Sequence, residues 1–186
     1  MSNKYPKTLN NDLFDAAQAG NAQACRDLLA QGAKVNARRS NYSPLHNAAG
    51  SGNVDTCRVL LDAGANIDSP GLHRYTPLHW ASGANHAGVV RFLLERGAAI
   101  HGKNFDGDTP LHRAVETNAG AAFVALLEGG ADLDMKNNTG ITARKGAKTN
   151  LPAELKVWFV RQSALQAVEE IKGPSQKPSA AAKHPF

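Results

Sequence analysis

Three of the seven histidines, both cysteines and a scatter of aspartates are the side chains whose placement first suggests chemistry. The stretch "SPLHNAAGSGNVDTCRVLLDAGANID", Ser43 to Asp68, holds His46, Cys57, Asp55, Asp62 and Asp68 close together. Imidazole, thiolate and carboxylate are the ligands zinc prefers, and an activated thiolate is a nucleophile. A zinc site needs its ligands to converge within about 2.0–2.3 Å of one ion. A reactive thiolate needs an electropositive surrounding, and no pattern of basic neighbours marks Cys57. The chain has no phosphate loop, no paired-carboxylate motif and no nucleophile elbow. Whether the histidines act together depends on the elements that carry them.

Those elements repeat. "TPLHWASGANHAGVVRFLLERGAAIH" runs from Thr76 to His101, and "TPLHRAVETNAGAAFVALLEGGADLD" from Thr109 to Asp134. His46, His79 and His112 are 33 positions apart (79 − 46, 112 − 79), as are Gly64, Gly97 and Gly130. A weaker copy, "LFDAAQAGNAQACRDLLAQGAKVN", begins at Leu13, with Gly32 standing 32 residues before Gly64. A fixed period in the thirties is the mark of a repeat array. In one copy, Thr76 is suited to cap a helix and Pro77 to open it, since proline's missing N–H costs nothing there. Leu78 and Ala81 give a short apolar face, and Asn85–His86 break the helix. Val89, Val90, Phe92, Leu93 and Leu94 give a second helix, which Gly97 stops in a left-handed turn. Histidines at one register of successive units are spread along the array, so they read as structural rather than as one metal site.

The run Thr-Pro-Leu-His, then small residues, Leu-Leu and Gly-Ala, resembles the ankyrin repeat family over about Leu9 to Val160. The resemblance implies an all-α solenoid of stacked helix-turn-helix units joined by β-hairpin loops, about five units including two caps. The expected organisation is an N-terminal arm over 1–8 and an array over 9–160. The array divides into an N-cap repeat (9–41), repeats over 42–74, 75–107 and 108–140, and a C-cap over 141–162. A terminal helix over 163–173 and a disordered tail over 174–186 follow. Stacked helices about 8–10 Å apart make a slightly curved rod on the order of 40–50 Å long. In the first unit Asn11-Asp12-Leu13-Phe14 replaces Thr-Pro-Leu-His. In the last, Arg144 and Lys145 replace the leucine and histidine, and a second helix from about Pro152 carries Trp158, Phe159 and Val160 inward. End units need a polar outer face. The resemblance also implies that each histidine bonds to backbone and to the next repeat. It implies that the asparagine after Gly-Ala-x-Val can be hydroxylated, a position only Asn36 matches.

Composition agrees with one array. The 186 residues carry 21 Lys and Arg against 16 Asp and Glu, a formal net charge of +5. Part of that excess lies in Lys172, Lys177 and Lys183, and the remainder is too small to argue for nucleic acid. No apolar run approaches the roughly 20 residues needed to span a bilayer, and the first residues show no secretory h-region. Cys25 and Cys57 share one repeat register with Val90 and Phe123, so both read as reduced core residues. The expectation is a cytoplasmic monomer, with the nucleus also open to it, no membrane and no cofactor.

With no catalytic set, function falls to the variable surface. In ankyrin arrays the partner meets the hairpin tips and the exposed side of the first helices. By register these are Arg39, Ser40 and Tyr42; Leu72, His73 and Tyr75; Phe105, Asp106 and Asp108; then Asn138, Thr139 and Ile141. Between them lie Gly50–Ser51, Gly83–Ala84 and Glu116–Thr117. Tyr42 aligns with Tyr75 and Leu72 with Phe105, an apolar and aromatic strip of the kind enriched at hot spots. Arg38, Arg39 and Arg74 sit at one end and Asp106, Asp108 and Glu116 at the other. Trp80, beside Asn47 and Arg113 in register, reads either as packing or as contact. The loop from Asp68 to Tyr75, with Pro70–Gly71, departs from its neighbours and is a candidate for specificity. The partner-binding set is therefore Arg39, Tyr42, Leu72, His73, Tyr75, Trp80, Phe105, Asp106, Asp108 and Arg113. The favoured reading is a non-enzymatic adaptor, scaffold or inhibitor. The alternatives are a bacterial effector-type ankyrin protein capturing a host protein and, more remotely, an enzyme or small-ligand-binding protein. Nucleic acid is disfavoured by Asp106 and Asp108.

Overall fold

The computed structural model describes residues 8–150. Its elements are α1 (Leu9–Gln18), α2 (Ala22–Ala30), α3 (Pro44–Ser51), α4 (Val54–Asp62), a 3₁₀ turn (Leu72–Arg74), α5 (Pro77–Gly83), α6 (Ala87–Glu95), α7 (Pro110–Glu116), α8 (Gly120–Glu128) and α9 (Ala143–Asn150). Apart from Thr8, the expected N-terminal arm lies outside the described residues. So do the helix from Pro152 with Trp158, Phe159 and Val160, the terminal helix and the tail.

Each unit is a pair of short helices with sequence-encoded ends. Ser43, Thr76 and Thr109 cap α3, α5 and α7, with proline in the first turn. Asn21 and Asn53 cap the second helices α2 and α4, accepting from Ala24 N and Thr56 N. Gly32, Gly64, Gly97 and Gly130 follow the second helices with φ between 88° and 98°, a region closed to most other residues. Helices this short are unstable alone. They persist because α1, α3, α5, α7 and α9 pack side by side in order, as do α2, α4, α6 and α8. The shared core is Leu13, Leu45, Leu78 and Leu111 from the first row, and Cys25, Leu60, Val90, Leu93, Phe123 and Leu126 from the second. Cys25 and Cys57 are both buried and unbridged, and burial pushes their thiols up to about 11 and about 12.

The end unit differs in a physical way. Thr8, not Asn11, caps the first helix, so Asn11 and Asp12 fall inside its first turn. Phe14 takes the histidine register and is buried under the Arg39 guanidinium, 4.7 Å from the ring centroid.

The connecting arms fold back as tight hairpins without extended strands: Arg39 and Tyr42 exchange both backbone hydrogen bonds, and Gly71 N donates to Tyr75 O, Asn104 N to Asp108 O and Asn137 N to Ile141 O. Among the described residues only two isolated bridges form, Arg39–Tyr42 and Lys136–Thr142. The arms also spend polar groups sideways. Phe105 N donates to His73 O at 3.0 Å, and Asn138 N donates to Asp106 O at 3.0 Å. Asn66 N donates to Asn36 Oδ1, and Ala99 N to Asp68 Oδ1. Asn36 is thus one of the inter-repeat ties.

Candidate functional site

The histidines resolve first. The backbone N–H of Ser43 donates to His46 Nδ1 at 3.0 Å, so the ring proton sits on Nε2, which donates to Tyr75 O at 3.0 Å. His79 does the same between Thr76 and Asp108 O, and His112 between Thr109 and Ile141 O. Histidine here plays the part glutamate or glutamine plays in a capping box. Both ring nitrogens are spent on protein atoms, and each ring bonds to the residue preceding the next unit's cap. Burial, the largest influence, pushes His46 and His79 down to about 4, so both are neutral at pH 7. Among the described residues no three His, Cys, Asp or Glu side chains stand together as metal ligands would.

Two of the bonded carbonyls, those of Tyr75 and Asp108, belong to the expected partner-binding set, so His46 and His79 also position that surface. Two relationships follow one period apart. The Tyr42 ring meets Trp80 edge-on, with centroids 4.8 Å apart at 70°. One unit on, the Arg113 guanidinium lies 5.5 Å from the Tyr75 ring centroid. Glycine makes both possible. A Cβ at Gly50 would stand 2.9 Å from Trp80 Cε3, and one at Gly83 would stand 3.0 Å from Arg113 Nε. Trp80 therefore packs on α3 and presents its ring to the surface at once.

Between these pairs is a hollow of about 380 Å³. Six of the ten sequence-selected residues line it: Tyr42, Leu72, His73, Tyr75, Trp80 and Arg113, over a floor of His79, Gly83 and Ala84. The corresponding space one unit later holds about 190 Å³ and is lined by Asp108, Glu116 and Asn137 among others. Phe105 is 62% exposed, and its ring meets His73 edge-on at 6.4 Å just beyond the rim. Leu72 and Ile141, at 43% and 42% exposure, continue the apolar row.

The remaining selected residues stand apart from the hollow. Arg39 is engaged with Asp15 at 2.8 Å and with Phe14. Asp108 accepts from Asn137 Nδ2 at 2.7 Å. Asp106 is exposed at the third tip. The expected charge polarity is thinner than the sequence implied. Arg38 donates to Asn41 O and Pro70 O, and Glu116 accepts from Arg113. Arg74 and Asp106 form no side-chain ion pair among the described residues.

The tips fall into two kinds. Ser40–Asn41 and His73–Arg74 all have positive φ (51°, 69°, 52°, 62°), a two-residue turn. The other two tips are closed by Asn104 and Asn137. The Oδ1 of Asn104 accepts from Asp106 N and Asp108 N, and that of Asn137 from Thr139 N and Ile141 N. Gly107 and Gly140 supply the positive φ. The Pro70–Gly71 loop therefore shares its tip geometry with the preceding arm instead of standing alone. Sequence reading also missed His86, whose Nε2 bonds Gly50 O at 3.0 Å beneath Trp80's unit, and the role of Asn104. The Asn-x-x-Gly spacing of the last two tips was the available signal.

Paired helices, turn arms and a histidine link to each next unit define a helical repeat array of the helix-turn-helix kind. A family model described as ankyrin repeats (3 copies) matches residues 13–104 and 71–137, and the chain belongs to that family. No curated protein matches the chain significantly. Ankyrin repeats are in general protein–protein interaction modules. No helix among the described residues is long and apolar enough to cross a membrane.

Proposed function

We propose that this chain is a non-enzymatic protein-binding module, an adaptor, scaffold or inhibitor, whose partner lies on the tips and first helices of units two to four. The observation that supports this is the hollow itself. It joins two tyrosines, a tryptophan and an arginine, the residue types that dominate hot spots, beside exposed Leu72 and Phe105. A contiguous apolar patch on a soluble protein marks an interaction site more often than chance. An interface of ordinary size, about 800 Å² per partner, fits on three units.

The test is a paired pull-down with mass-spectrometric readout. One bait is the chain itself and the other carries Tyr42→Ala, Tyr75→Ala and Phe105→Ala, shown by circular dichroism to stay folded. The expected result is a protein retained by the first and lost from the second. A partner held equally by both baits refutes the strip as the working surface.

A further inference from the structure

Resting on that reading, the hollow also carries information about the chemistry of what enters it. Its walls are aromatic, and no carboxylate lines it; Arg113 is the cation on its rim, and exposed Arg74 lies in the chain between the lining residues His73 and Tyr75. Its floor histidine is neutral, being desolvated and bonded at both nitrogens. Arg113 already covers the Tyr75 ring at 5.5 Å, so an entering cation meets a guanidinium on that face. Arg113 is held by Glu116 through Nη1, and the Glu116 side chain is 62% exposed, which makes it easy to displace. The next unit supplies an internal comparison. There Asp108 occupies the register of Tyr75 (108 − 33 = 75), and its carboxylate takes the Asn137 Nδ2 hydrogen. At Tyr75 the carboxylate is missing, and the Nδ2 of Asn104, a residue only 4% exposed, has no partner.

We propose that the hollow receives an acidic segment of the partner protein. An apolar side chain, aromatic or leucine-like, enters between Tyr42, Tyr75 and Trp80, and an adjacent aspartate or glutamate pairs with Arg113 and Arg74. Charge complementarity of this kind sets orientation and partner choice more than raw affinity. Volume agrees: about 380 Å³ is at the small end of ligand pockets, room for one or two side chains and not for a helix.

The probe is a random dodecapeptide library displayed on phage and selected against the full chain. Enriched peptides should pair Phe, Trp, Tyr or Leu with a neighbouring Asp or Glu. Synthetic copies should lose at least about tenfold in affinity on Trp80→Ala, and on Arg74→Glu or Arg113→Gln. Arg74 is exposed, so its variant reports on binding without endangering the fold. Enrichment of basic or uncharged peptides that still depend on Trp80 overturns the acidic assignment and leaves the surface standing. Peptides indifferent to Trp80→Ala and Tyr42→Ala overturn both. Absence of any enriched peptide overturns the inference of a linear segment, and the pull-down then judges the surface alone.

Discussion

Asn137 donates its Nδ2 hydrogen to Oδ1 of Asp108 at 2.7 Å, and the same donor one unit earlier, on Asn104, is buried with nothing to receive it. The difference is one residue: tyrosine at 75 where the next unit has aspartate. An unmet buried donor costs about 1–3 kcal/mol. Replacing Tyr75 by aspartate restores the acceptor, whereas replacing it by alanine does not. Tyr75→Asp should therefore be more stable than Tyr75→Ala by about 1–2 kcal/mol in urea unfolding. In an Asn104→Asp background, which keeps the Oδ1 turn bonds and removes the donor, that advantage should be lost or reversed, because two carboxylates then face each other.

The buried histidines make stability depend on pH in a defined window. His46 and His79 are pushed from 6.5 down to about 4, chiefly by desolvation. Smaller influences on His46 come from the Tyr75 carbonyl and Arg38, and on His79 from Asp108, Arg113 and Asp68. Between pH 6.5 and 4 the unfolded chain binds protons that the folded chain refuses. Stability is thus fully present above about pH 6.5 and falls as the pH is lowered to about 4, with a ceiling on the order of 3 kcal/mol per histidine. Urea midpoints at pH 7.5 and 4.5 should differ accordingly. His79→Gln should be less stable at pH 7.5 and show a shallower fall between the two.

The fold was legible because its signals are local and repeated. The Thr-Pro starts and the glycine stops each act within a few residues, and the 33-residue step repeats them, so they located the helices; the histidine bonds were implied by the resemblance to ankyrin repeats. What was not legible depends on neighbours across units. Arg39 read as surface, but Asp15 and Phe14 hold it, and the phenylalanine is specific to the end unit, where the other units have histidine. The arms read as hairpins and each does fold back on itself, but the bonds that tie one arm to the next, such as Phe105 N to His73 O, involve residues of two units and are invisible in either one. Trp80 was ambiguous between packing and contact because the deciding residue, Gly50, lies 30 positions earlier.

That glycine makes the next prediction. Alanine is favoured over glycine inside a helix by about 0.5–1 kcal/mol. At Gly83 a new methyl meets the flexible Arg113 side chain, which can move aside. Gly83→Ala should therefore be neutral or stabilising. At Gly50 the methyl meets the edge of the Trp80 ring, which Tyr42 and His46 also contact. Gly50→Ala should gain nothing in stability and should shift Trp80 emission, read in a Trp158→Phe background. Unchanged emission with a stability gain would show that the indole is not seated on Gly50.

Arg74 tests whether the tip gives up stability for recognition. Its φ is 62°, at the register where Gly107 and Gly140 take 77° and 76°. A left-handed backbone costs a residue such as arginine about 1–2 kcal/mol, a penalty glycine escapes. Strain of this kind is tolerated where a side chain is wanted for its contacts. Arg74→Gly should therefore raise the unfolding free energy by about 1 kcal/mol, because the left-handed penalty outweighs glycine's extra unfolded-state entropy. The same variant should bind acidic peptides selected on the parent chain more weakly. Arg74→Asn, which tolerates the left-handed region as Asn41 does at φ 69°, should reproduce both effects in part. If both variants gain stability and keep full peptide affinity, the guanidinium at the tip has no part in recognition. The acidic partner would then have to be read from Arg113 alone.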